Sequence, residues 1–144
     1  MAFVTLNSDK LSANFQFLDK LFKERGIEWS VVTKMMCGNK EFLTELLKLD
    51  INQICDSRIS NIKAIKAIRP DVSAIYIKPP AKKAIPGVVK YADISMNTEI
   101  STIKQLSKEA VKQNKQHKIV IMLEMGELRE GVLHENFINF YEHN

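Results

Sequence analysis

The stretch INQICDSRISNIKAIKAIRPDVSAIYIKPP, residues 51–80, decides the fold class. Ile51–Cys55 is a short segment that ends at Asp56-Ser57 and is typical of a strand. Isoleucine and alanine then recur at helical spacing from Ile59 to Ile68, until Pro70 ends the helix. A second strand, which is apolar, follows at Ala74–Ile77. A strand, a helix and another strand in so short a stretch predict a βαβ unit and a parallel sheet.

The same alternation extends in both directions along the chain. Upstream, it predicts a helix over residues 8–26 capped by Ser8, a strand at Trp29–Thr33, and a helix that Asn39 caps. Downstream, it predicts a weak helix around Pro86 and Gly87, a strand at Asp93–Met96, a helix over 99–114, a strand at Lys118–Met125, a loop at Gly126–Gly131 and a last helix from Phe137.

The predicted strands carry near-continuous apolar runs, as expected when both faces of a sheet are covered. Residues 1–144 therefore predict a single α/β domain with five parallel strands. The pattern alone leaves two architectures open, an open doubly wound sheet and part of a barrel. A complete (β/α)₈ barrel needs roughly 250 residues, so this chain is too short for one.

Composition excludes several function classes. The 45% apolar and 26% charged residues are ordinary for a globular protein. A net charge of +4, without a basic stripe interleaved with aromatic residues, does not favour nucleic-acid binding. Two cysteines and three histidines at unrelated spacings predict no metal site. The sequence has no long apolar span and no signal peptide, so we expect a cytoplasmic protein with reduced thiols and no membrane partner.

Lys34 is the first candidate site residue, because it follows a predicted strand, and both sheets and barrels bind ligands where strands end. Its neighbours Val31–Thr33 and Met35–Cys37 are mainly apolar. Loss of hydration among them would lower the pKa of the amine and favour a nucleophile that forms a Schiff base with an aldehyde. A solvated lysine is the alternative.

Other residues near strand ends have two interpretations each. Arg58 and Arg129 offer planar donors suited to a phosphate, a carboxylate or a phenolate. The alternative for Arg58 is an ion pair with Asp56, and for Arg129 an ion pair with a neighbouring glutamate. Asn97 binds a ligand or caps the next helix. Lys78 contacts an anion or is simply solvated.

Taken in order, these strand ends resemble a known family. The motifs are Val32-Thr33-Lys34 with Cys37-Gly38-Asn39, Asp56-Ser57-Arg58 with Asn61-Ile62, Asn97-Thr98-Glu99, and Met125-Gly126-Glu127-Leu128-Arg129-Glu130-Gly131. The set resembles the alanine racemase N-terminal-domain family, which comprises fold-type III pyridoxal-phosphate enzymes, and within it the branch that includes ornithine racemase. The resemblance covers nearly the whole chain.

The resemblance implies a partial (β/α)₈ TIM barrel of about five parallel βα units, preceded by an N-terminal helix. It also implies an amino-acid racemase using pyridoxal 5'-phosphate. Lys34 matches the lysine that holds this cofactor as a Schiff base and acts as an acid/base group on the substrate α-carbon. Arg129 matches the arginine near the cofactor phenolate. Lys78 and Asn97 complete the expected cofactor-binding residues.

The same resemblance implies that the family's later strands and its C-terminal domain are absent from these 144 residues. We therefore expect an N-terminal portion that lacks residues needed for turnover, that holds the cofactor weakly or not at all, and that forms a homodimer or larger assembly. One alternative is a pyridoxal-phosphate carrier without turnover. Another is a receiver-like signalling module, which is disfavoured because Lys34 and Lys78 stand where receivers need acidic residues.

Overall fold

The computed structural model describes residues 4–142, and within them five parallel strands form one sheet in the order β1-β2-β3-β4-β5. A flavodoxin-like sheet would place β1 between β2 and β3. The sequential order found here instead confirms the prediction of part of a barrel. Two further short strands, β6 and β7, pair with each other in parallel. The elements are α1 (Ser8–Lys23), β1 (Val31–Val32), α2 (Lys40–Leu47), β2 (Gln53–Asp56), α3 (Ile59–Ile68), β3 (Ser73–Tyr76), α4 (Ile85–Tyr91), β4 (Ile94–Asn97), α5 (Ile100–Lys112), β5 (Lys118–Ile121), β6 (Leu123–Glu124), β7 (Val132–Leu133) and α6 (His134–Glu142).

The core lies between the sheet and helices α2 to α5. Each of these helices contributes a side chain that is at most 1% exposed: Leu43, Ile62, Val88 and Leu106. Consecutive helices contact each other from α1 to α5, which places them side by side along the sheet. Burying a side chain of this size stabilises the fold by about 1.5–3 kcal/mol. The apolar stripes of these helices therefore hold the curved row of βα units together.

The strand register gives the sheet two different faces. Asp56 lies beside Tyr76, and Tyr76 lies beside Ser95. Successive side chains of a strand alternate between faces, so these residues share the helix-covered face with Ile54. The opposite face is partly open, with Val32 51% and Val120 43% exposed.

Two predicted helix caps differ from the structure. Helix α1 is capped by Asn7 instead of Ser8, because the Asn7 backbone is extended and its side chain accepts a hydrogen bond from the Lys10 amide at 2.9 Å. Asn39 caps α2 as predicted, accepting from the Phe42 amide at 3.0 Å. The capping interpretation of Asn97 is wrong, since Asn97 is the last residue of β4 and Glu99 occupies the cap position of α5.

The predicted strand over 118–125 is divided at Met122. The Met122 amide donates to the Asn97 carbonyl at 2.9 Å, while its carbonyl accepts from the Val132 amide at 2.8 Å. The chain therefore leaves β4 at this residue and pairs with β7.

No helix within residues 4–142 has the length and hydropathy needed to span a lipid bilayer.

Candidate functional site at the carboxyl edge of the sheet

Lys34 begins a short 3₁₀ turn, Lys34–Met36, immediately after β1. Its side chain is exposed, and the adjacent Met35 is 88% exposed. Of the two alternatives for Lys34, the solvated side chain is therefore the one present, and desolvation by apolar neighbours is not. No hydrogen bond or ion pair within residues 4–142 engages the Lys34 ammonium. Lys34 thus presents a primary amine to solvent at the edge where the strands end.

A buried carboxylate lies at the end of the neighbouring strand. Asp56 is 0% exposed, and its Oδ2 accepts a hydrogen bond from Thr33 Oγ1 at 2.7 Å. Asn61 Nδ2 donates to both carboxylate oxygens, at 3.2 and 3.1 Å, and the Arg58 backbone amide donates to Oδ1 at 2.8 Å. Because a buried charge is costly unless it is well hydrogen-bonded, these donors account for its burial.

The observed role of Arg58 differs from the predicted ion pair. Its backbone amide binds Asp56, while the ion pairs found in the described part of the chain include neither Arg58 nor Asp56. Hydrogen bonds, rather than a cation, balance the Asp56 carboxylate.

Lys78 lies two residues beyond β3 and is exposed. Its Nζ lies 5.9 Å from the centroid of the Tyr76 ring, a cation–π distance. Tyr76 itself is buried, and burial raises the pKa of its phenol, with the negative charge of Asp56 adding to the effect. Tyr76 therefore remains a neutral phenol at neutral pH.

Asn97 ends β4 fully buried, in a polar cluster with Ser95 and His117. Its Nδ2 donates to Ser95 Oγ at 3.1 Å and to the Ser95 carbonyl at 2.8 Å. Ser95 Oγ is also hydrogen-bonded to His117 Nε2 at 2.8 Å. Burial lowers the pKa of His117. Within residues 4–142, Asn97 Oδ1 is buried without a hydrogen-bond partner.

Arg129 lies in the loop between β6 and β7 and is exposed. Its guanidinium lies 4.0 Å from a Glu127 carboxylate oxygen, so the predicted ion-pair alternative is present. The loop is shaped by Glu124, whose carboxylate accepts the Gly126 amide at 2.6 Å and the Leu128 amide at 2.9 Å. Hydrogen bonds from backbone amides lower the pKa of Glu124, and the one from Leu128 has the largest effect.

Three of the four predicted residues, Lys34, Lys78 and Asn97, thus lie at or just beyond strand ends of the five-stranded sheet, whereas Arg129 lies in the loop of the separate β6–β7 pair. No direct contact between Lys34 and Lys78, Asn97 or Arg129 is found in residues 4–142. The sequence did not predict the hydrogen bonds between Thr33, Asp56 and Asn61. Polar residues at the end of an otherwise apolar strand were the available signal, because such a side chain needs partners when it is buried.

Comparisons with known proteins agree with this architecture. The chain is 38% identical over 128 residues to an ornithine racemase of Acetoanaerobium sticklandii, covering 89% of this chain and 36% of that protein. It is 26% identical to a lysine racemase of Thermotoga maritima, covering 92% and 38%. The chain therefore spans little more than a third of the length of these curated relatives.

A solved structure shows the same fold. An alanine racemase from Bartonella henselae, with covalently bound pyridoxal phosphate, superposes with a TM-score of 0.74 at 16% identity, covering 94% of this chain and 38% of the other. The five-stranded sheet therefore corresponds to part of a TIM-barrel domain. The model of the alanine racemase N-terminal domain matches residues 6–143, and on that match the chain belongs to the alanine racemase N-terminal-domain family.

Proposed function

We propose that this chain is the cofactor-attachment part of a pyridoxal-phosphate-dependent amino-acid racemase and that Lys34 is its attachment lysine. The observation that carries the proposal is the exposed amine of Lys34, which has no hydrogen-bond or ion-pair partner among residues 4–142, at the carboxyl edge of a family-typical sheet. Relatives that are ornithine and lysine racemases favour a basic amino acid as substrate. The domain is proposed to extend over residues 1–144.

The residues at this edge fit the chemistry of the cofactor. Pyridoxal phosphate carries an aldehyde and an anionic phosphate, so it needs a free primary amine and cationic or hydrogen-bonding partners. Lys34 supplies the amine, and Lys78 and Arg129 are exposed cations. Asn97 adds a buried amide oxygen that lacks a protein partner among residues 4–142. We assign these four residues to cofactor binding.

Lys34 has two roles in the proposed reaction. Its amine would hold the cofactor, and its Nζ would remove or return the proton on one face of the substrate α-carbon. When bound, pyridoxal phosphate withdraws electrons from that carbon and makes its C–H bond acidic. Arg129 would donate to the cofactor phenolate and would favour the charged form of that oxygen.

Attachment at Lys34 is tested by incubating the protein with pyridoxal phosphate, reducing with borohydride and mapping the modified peptide. We expect the adduct on Lys34 and its loss in Lys34→Ala. Lys108→Ala is the matched control, because Lys108 is an exposed lysine on α5. An adduct spread over several surface lysines and unchanged in Lys34→Ala would overturn the proposal.

A pyridoxal-phosphate carrier without turnover, built on the same fold, is the second candidate. Chiral chromatography of L-ornithine and L-lysine after incubation separates the two functions. Appearance of the D-isomer, lost in Lys34→Ala, supports the racemase. An adduct on Lys34 without any D-isomer supports the carrier.

Self-association belongs to the same proposal. Strands β1 and β5 lie at the two edges of the sheet, and Val32 and Val120 leave apolar area exposed on one face. Exposed apolar patches and unpaired strand edges favour pairing with another chain. We therefore propose a homodimer or larger assembly with a buried area beyond about 2,000 Å², as in obligate interfaces.

A further inference from the structure

The turn that carries Lys34 lies between two contacts with a hydrogen-bonded pair of side chains, Asp56 and Asn61. Before the turn, Thr33 is 1% exposed and its hydroxyl donates to Asp56 at 2.7 Å. After the turn, Gly38 passes so close to Asn61 that a Cβ at Gly38 would lie 3.0 Å from Asn61 Oδ1. Asn61 in turn donates to Asp56. The Asp56 carboxylate is therefore hydrogen-bonded to the residue before the turn and to the side chain that lies against Gly38 at its end.

Within the turn, the backbone has little freedom. The Met36 amide donates to the Thr33 carbonyl at 2.9 Å, and the Asn39 amide donates to the Met36 carbonyl at 2.8 Å. Cys37 adopts a left-handed conformation with φ 49°, which is uncommon for a residue other than glycine. A conformation of this kind persists only where surrounding contacts hold it.

Asp56 has the properties of a rigid anchor. It is fully buried, and three donor groups among the described residues, Thr33 Oγ1, Arg58 N and Asn61 Nδ2, fix its orientation. Charge-assisted hydrogen bonds of this type are stronger than neutral ones. A reactive side chain works best when its supporting residues are themselves held in place.

We propose that Asp56 is a positioning residue that holds the Lys34–Gly38 turn through Thr33 and Asn61 and thereby directs the Lys34 amine. This inference rests on the proposed function, because it gives Asp56 a role in the reactivity of Lys34. Asp56 would act only through the position of Lys34, without contacting substrate or cofactor itself.

Thr33→Val is the sharpest variant, because it replaces the hydroxyl by a methyl group of similar size and leaves Asp56 its bonds to Asn61 and Arg58. We expect the rate of borohydride-trapped attachment of pyridoxal phosphate at Lys34 to fall about tenfold, since small misplacements of a reacting group slow reactions strongly. Thr33→Ser keeps the hydroxyl and should restore the rate. Modification of Lys108, measured in the same samples, should remain unchanged in both variants.

Amide hydrogen exchange without cofactor separates failure of this inference from failure of the proposed function. In Thr33→Val we expect faster exchange at the Met36 and Asn39 amides and unchanged exchange in α5. Unchanged exchange at these two amides overturns the positioning role, whatever Lys34 does. Faster exchange with an unchanged attachment rate overturns it as well.

If wild-type Lys34 takes up no cofactor, the proposed function fails, and so does the claim that Asp56 directs its reaction. The exchange experiment then still decides whether Asp56 holds the turn. Faster exchange together with slower attachment, both reversed in Thr33→Ser, supports the inference.

Discussion

Gly38→Ala is expected to destabilise the protein for two separable reasons. The φ angle of Gly38 is +74°, in the left-handed region, and an alanine there costs about 1–2 kcal/mol relative to its usual conformation. In addition, the new Cβ would lie 3.0 Å from Asn61 Oδ1. Asn61 has little room to move, because its Nδ2 is hydrogen-bonded to both oxygens of Asp56. Overpacking of this kind adds about 1–3 kcal/mol.

Gly26→Ala is the matched control for the first of these costs. Gly26 has a similar φ of +64°, but nothing lies within 4 Å of a Cβ built there. Urea denaturation of the two variants therefore separates backbone strain, which both carry, from the contact with Asn61, which only Gly38→Ala makes. We expect Gly38→Ala to lose about 1–3 kcal/mol more than Gly26→Ala.

The reasoning is refuted if the two variants lose the same free energy of unfolding. Such a result would mean that Asn61 moves freely and that the turn is not tied to Asp56 at its second end. A double-mutant cycle with Asn61→Ala gives an independent measure, because the steric part of the Gly38→Ala cost should vanish once the Asn61 side chain is removed.

Three further expectations follow from the core and the sheet edge. Burial lowers the pKa of His117 below its usual 6.5, so as the pH falls the unfolded chain takes up a proton at this histidine before the folded chain does. The free energy of unfolding should therefore decline below about pH 6.5. The difference between the urea midpoints at about pH 7.5 and pH 5.5 should be smaller in His117→Gln than in the wild type. Leu106→Ala, at a site 1% exposed, should cost about 2–5 kcal/mol in the same assay; a cost below that range would mean that α5 is loosely packed. If β5 lies in an interface between copies, Val120→Lys should lower the molar mass measured by light scattering toward that of a monomer. An unchanged mass would contradict that placement.

Most of the fold was predictable because it depends on apolar periodicity. The stripe on α3 and the strands on either side of it, between residues 51 and 80, already specify a βαβ unit. Element ends were less predictable, since they depend on single hydrogen bonds. The division of the fifth strand at Met122, for example, depends on a carbonyl that pairs with Val132, ten residues later.

The candidate site also has a part that the sequence predicts and a part that depends on tertiary contacts. The location of Lys34 after β1 follows from the position of the strand and needs no tertiary information. The sequence left open whether that lysine is desolvated or solvated, because apolar residues next to it in the chain need not cover its side chain, and Met35 is itself exposed. Likewise, one of the two interpretations of Arg58 was an ion pair with Asp56, its neighbour in sequence. The carboxylate is instead bound by the backbone amide of Arg58 and by Thr33, 23 residues earlier, because β1 and β2 are adjacent in the sheet.

The burial of Asp56 also bears on what this edge of the sheet is for. A stable core would gain more from an apolar residue at a position that is 0% exposed, since buried charged groups contribute weakly to stability even when they are satisfied. The carboxylate instead gathers donors from the residue before Lys34 and from the helix after β2. Hydrogen bonds have fixed directions, whereas apolar contacts do not, so this arrangement specifies one geometry for the turn. A backbone fixed in this way beneath an exposed amine is what the proposed attachment of a cofactor to Lys34 in one orientation requires.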